Sequence, residues 1–145
     1  MSILLFLMRL ILGGIFIYPG FSKLIVPAAN FAAVIQGYQF INPPLTDYLA
    51  FVLPWLELIF GTFLWTGFMI RLSASVISVL TLTFVALLTR SIILKLPLTE
   101  CGCFGAGITL EPKQALILDA GLFLMAICIR LWPPKLFSLD MRLLK

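Results

Sequence analysis

Four stretches of mainly apolar residues, each about 20 long and set apart by Pro, Gly or charge, constrain this chain more than any other feature. A helix of that length covers about 30 Å of hydrocarbon at about 1.5 Å per residue. The sequence therefore predicts spans at 3–21, 48–69, 72–94 and 114–132. Composition agrees, with 62% of the 145 residues hydrophobic and 11% charged. Soluble domains hold about 45–50% apolar residues and about a quarter charged ones. The expected fold class is all-α: an integral membrane four-helix bundle, one domain over 1–145, with a Cys-containing extracytoplasmic loop. The first stretch has no basic segment before it and no small-residue cleavage site after it, so it reads as a span and not as a signal peptide.

The connections differ in character. The segment 26–46 carries Pro27, Asn30 and Pro43-Pro44 among Phe31, Val34, Ile35, Tyr38 and Phe40, the mark of an amphipathic or re-entrant piece at the interface. Ile70-Arg71 leaves room only for a tight antiparallel hairpin between spans two and three. The connection 95–113 is the long polar loop, with Cys101-Gly102-Cys103, Gly105 and Gly107. The tail 133–145 mixes Leu136, Phe137, Leu139 and Leu143 with Lys and Arg, as a surface-lying amphipathic helix does.

An even number of spans puts both termini on one side. Arg9, Arg71, Arg130, Lys135, Arg142 and Lys145 fall there, against Lys23, Arg90, Lys95 and Lys113 opposite. Positive charge favours the cytoplasmic side, so the termini are expected in the cytoplasm of an inner (plasma) membrane protein and the cysteine loop outside. The net charge of +4 is explained by this edge distribution, and no nucleic-acid partner is expected. The chain has no histidine, which removes imidazole metal ligands, His-paired nucleophiles and His proton shuttles.

Two thiols one residue apart on a Gly-flanked loop can close a small strained disulfide, and strained or exposed disulfides are the exchanging ones. Redox exchange at Cys101 and Cys103 is the leading reading. A static bridge and binding of a soft metal ion by two thiolates are the alternatives. Cys128 lies about 20 Å deeper in span four, out of the pair's reach, and reads as a packing residue.

Ionisable groups inside a span are costly and point to function by default. Glu57, Asp119, Arg90 and Lys23 come from four spans and fall in the half of the bundle next to the cysteine loop. Mutual pairing of the two acids with the two bases is expected. The pairing serves either to fix register, or to handle protons released when thiols oxidise and to contact the head of a bound quinone. Pro54-Trp55 precedes Glu57 and can widen a pocket there, with Trp55 and Tyr18 facing inward. Gly13, Gly14, Gly20, Gly61 and Gly67 read as close-approach positions between helices.

With these residues in view, Gly-Ile-Phe-Ile-Tyr-Pro-Gly-Phe-Ser-Lys-Leu at 14–24, Leu-Pro-Trp-Leu-Glu at 53–57, Arg71-Leu72 and Cys101-Gly-Cys-Phe-Gly105 together resemble the MauE branch of the DoxX-like small membrane proteins. The likeness covers about 9–130. It implies a four-helix bundle working with a thioredoxin-like periplasmic partner in forming disulfides of exported proteins. Cys101 and Cys103 would be its redox pair and Glu57 an acid of the bundle interior. Where such proteins often carry Arg-Asp in span four, Leu118 precedes Asp119 here. The layout is also similar in outline to quinone-linked disulfide generators of the DsbB and vitamin K epoxide reductase type. Those carry a further Cys-x-x-Cys pair, and this chain has three cysteines, so a quinone would have to bind beneath the loop, close to Glu57, Arg90 and Asp119.

The expectation is therefore a thiol–disulfide oxidoreductase component that exchanges disulfides with a thioredoxin-like extracytoplasmic partner and passes electrons to a quinone or another carrier. It sits among membrane lipids, as a homodimer or in a larger complex. The competing readings are a non-catalytic scaffold with a structural Cys101–Cys103 bridge, and a soft-metal carrier.

Overall fold

The computed structural model describes residues 2–97 and 110–133. These form five α-helices and, among the described residues, no strand: α1 Ser2–Ile25, α2 Ala28–Gly37, α3 Leu45–Thr66, α4 Ile70–Ile93 and α5 Pro112–Leu131. All but α2 are long and apolar enough to cross a membrane. They run alternately up and down, so α2 and the connection from α4 to α5 lie at the same end of the bundle.

The observed bounds depart from the sequence expectation where local chemistry explains it. Helix α1 runs through Pro19 to Ile25, four residues past the expected stop, so Lys23 stands inside its last turn and does not flank it. The 26–46 segment folds as α2, capped by Pro27 and ended at Gly37. Its ten residues reach about 15 Å, too short to cross, and they bury Phe31 and Ala32 against the bundle. The hairpin between the second and third spans turns at Gly67–Met69, not at Ile70-Arg71. Gly67 adopts φ 79°, and the amides of Gly67 and Phe68 both donate to the Phe63 carbonyl at 2.9 Å. This is a left-handed helix stop that a residue without a Cβ accommodates. Gly67 is thus a turn residue, not a close-approach position.

The central core joins Leu12 and Phe16 of α1, Leu64 of α3, Ile70, Ala74 and Ile77 of α4, and Leu122, Ala126 and Ile129 of α5. Helix α1 packs most extensively on α3, and α4 on α5. Glycines make the α1–α3 seam possible. A Cβ on Gly13 would stand 2.9 Å from the Gly61 carbonyl oxygen, and one on Gly20 would stand 2.8 Å from the Leu58 amide. Gly14, by contrast, would meet nothing within 4 Å; it takes no part in the seam. A Gly13→Leu variant is therefore expected to lose its folded population in detergent, whereas Gly14→Leu keeps it. Thermal unfolding of the two proteins side by side checks this, because backbone-to-backbone clashes cannot be relieved by rotamer changes.

The outer surface is apolar. Ile3, Leu4, Phe21, Phe51, Val79, Ile93, Ile117 and Leu124 are all more than half exposed, a pattern that suits lipid and not water. The outward hydroxyls are satisfied within their own helices: Ser75, Thr83 and Thr89 donate to the carbonyls of Arg71, Val79 and Val85 at 2.7, 2.8 and 2.7 Å. Hydrocarbon offers no other partner. The chain is a multi-pass membrane protein.

Candidate functional site: a buried ionic cluster

Helical side chains lean toward their own N-terminus. On α1 this tilts Lys23 back into the bundle, and on the antiparallel α3 it tilts Glu57 to meet it. The glycine seam brings the two backbones close enough for a direct pair. Lys23 Nζ donates to Glu57 Oε1 at 2.9 Å and Oε2 at 3.0 Å, with side chains 2% and 1% exposed. The ammonium also lies 4.5 Å from the centre of the Phe31 ring and 5.7 Å from that of Phe84, so two aromatic faces complete its shell.

Asp119 of α5 is buried as well. It shares with Glu57 a small void closed by Ile15, Phe16, Pro19, Phe84 and Leu122. One ammonium and two carboxylates from three helices thus occupy a single water-poor region. Such an arrangement holds a charge pair by its geometry and keeps a further acid nearby that can carry a proton.

Arg90 departs from the expected pairing. Its Nη1 donates to the Tyr38 carbonyl at 3.4 Å and its guanidinium lies over the Phe40 ring at 5.3 Å. Arg90 therefore ties the end of α4 to the segment leaving α2; its long side chain reaches a backbone acceptor near the bundle end. Trp55 and Tyr18 also differ from expectation, being 44% and 53% exposed on the outer face. Trp55 follows the buried Pro54 by one position, and a helix turns about 100° per residue, which carries it away from the interior.

Arg9 is a buried cation that sequence reading counted only as an edge charge. It is 1% exposed and lies 4.9 Å from the Phe6 ring centre. The signal was present in the spacing: Arg9, Leu12, Phe16, Gly20 and Lys23 recur at three- and four-residue steps on one face of α1. Cys128 is half-buried with a free thiol. Among the described residues no three His, Cys, Asp or Glu side chains gather as a metal site.

Cys101 and Cys103 lie outside the described residues, as does most of the tail 133–145. The residues flanking the loop form an open cleft of about 260 Å³ between Ser91, Ile92, Lys95, Leu96, Glu111, Pro112 and Lys113. It sits at the end of the bundle toward which Lys23 and α2 also lie.

No curated protein and no solved structure matches this chain. A family model described as "Methylamine utilisation protein MauE" matches residues 1–133. That is nearly the whole length, across every helix that carries the ionic cluster. The chain belongs to the MauE family.

Proposed function

We propose that the protein is a membrane thiol–disulfide oxidoreductase component whose Cys101–Cys103 pair exchanges disulfides with a thioredoxin-like extracytoplasmic partner. In this reading the termini are cytoplasmic and the cysteine loop faces the oxidising side of the inner membrane, where disulfides persist. A thiolate of the reduced partner attacks the Cys101–Cys103 disulfide, forming a mixed disulfide and releasing one thiolate of the pair. The partner's second thiol then resolves it, leaving the partner oxidised and Cys101 and Cys103 as a dithiol. A membrane quinone, as co-substrate, takes two electrons and two protons from that dithiol and leaves as quinol.

The supporting observation is the buried Lys23–Glu57 pair with Asp119 beside it. Thiol oxidation releases two protons, and among the described residues Glu57 and Asp119 are the buried carboxylates that could take them. Carboxylates inside a span are functional by default, and Asp119 beside a Glu57 already held by Lys23 gives a proton somewhere to reside.

Trapping tests the exchange. Cys101→Ser and Cys103→Ser are made in the full chain and analysed on non-reducing gels with a thioredoxin-like protein of the same membrane's outer side. One of the two variants is expected to accumulate a mixed disulfide, and the double variant none. If neither traps a partner and the wild-type pair titrates below about −300 mV, as structural bridges do, the oxidoreductase reading falls.

A further inference from the structure

Near the end of the bundle that holds α2, a cavity of about 130 Å³ lies between α2, α3 and α4. Phe31 and Val34 of α2 and Tyr38 just past its end form one wall, Leu49 and Leu53 the α3 wall, and Leu80, Thr83 and Phe84 the α4 wall. Phe40 closes it beyond α2. It exists because α2 leans chiefly on α3 and meets α4 only through side chains such as Val34 and Tyr38.

Its dimensions and lining select an occupant. An engineered apolar cavity of about 150 Å³ takes one benzene, so about 130 Å³ suits a single six-membered ring. Four of the lining side chains, Phe31, Tyr38, Phe40 and Phe84, are aromatic, and aromatic faces receive a flat ring by offset or edge contacts. Thr83 and Phe40 are exposed on the outer surface, so a tail attached to the ring can leave into lipid. Arg90 does not line the cavity but touches two residues that do, donating to the Tyr38 carbonyl and lying over the Phe40 ring, which leaves its guanidinium beside the Phe40 end. The opposite wall, Phe31 and Phe84, is shared with the Lys23 ammonium of the ionic cluster.

We infer that this cavity between α2, α3 and α4 is the binding site for the ring of a membrane quinone, with Arg90 beside its Phe40 end and the quinone tail in the bilayer. The inference rests on the proposed function for why a quinone is bound, and adds where. It differs from a site beneath the loop among Glu57, Arg90 and Asp119, because the ring lies against α2, separated from the acids by Phe31 and Phe84.

The test uses the full chain in lipid nanodiscs with a decyl-substituted benzoquinone and a photoreactive azido-benzoquinone. The label on the wild-type protein is expected on 31–41, 49–53 or 80–87. Val34→Trp and Leu49→Trp fill the cavity from opposite walls, and each is expected to weaken binding by about tenfold or more, while Ile117→Trp on the lipid face binds as wild type. Absence of binding, label confined to other segments, or wild-type binding by a folded filler variant overturns the site. Should neither filler variant fold, the labelled positions decide. Thiol oxidation is read separately: a quinone that binds in the cavity but leaves Cys101 and Cys103 reduced upholds the site and removes its role as electron acceptor. Oxidation at the wild-type rate in the filler variants removes the site and keeps that role.

Discussion

Replacing Lys23 with Met is expected to cost about 3–5 kcal/mol of stability, the range found when one partner of a buried ion pair is removed. The cause lies in what stays behind. Glu57 accepts both its short contacts from Lys23 Nζ and is 1% exposed, so no water can replace the lost donor. The Phe31 and Phe84 rings lose their cation at the same time. A double variant, Lys23→Met with Glu57→Gln, leaves neither charge of the pair behind and should recover more than half of the loss. Thermal or denaturant unfolding of both single variants and the double one forms the cycle that separates pair energy from packing. Additive single losses would mean that the two groups act independently, against the 2.9 Å geometry.

Asp119→Asn carries the second large effect, on rate and not on stability. Asparagine keeps the size of the side chain but gives up the carboxylate that accepts a proton. If Asp119 takes protons from the cysteine pair, quinone-linked oxidation of the dithiol should slow by about 10²-fold or more, the usual contribution of a positioned proton acceptor. Partner binding and the melting temperature should change little by comparison. Stopped-flow oxidation of pre-reduced protein, with unfolding measured alongside, distinguishes the two. An unchanged rate in a folded Asn variant would reduce Asp119 to a structural residue of α5.

Much of the architecture could be read from the chain because lipid imposes length and hydropathy on every crossing element. The four spans and the interior position of Glu57 and Asp119 follow from that. The ends of the helices were harder, since apolar residues such as Leu24 and Ile25 extend α1 without any change of composition. The partner of Arg90 could not be read from depth, because a flexible side chain at a helix end chooses among neighbours that only the folded α2 supplies. Phe31 was visible as an interfacial aromatic, but its place over the Lys23 ammonium depends on a helix whose ten residues are too few to announce themselves by periodicity.

The packing also falls into two pairs. With α1 seamed to α3 and α4 to α5, the bundle is built as two planks joined through one shared core. Lys23 and Glu57 are bolted within one plank, and Asp119 rides on the other. A slide of one plank against the other would leave the ion pair intact while changing only how near the second carboxylate stands. The joint between the planks is therefore where motion of the protein would be felt by its charges.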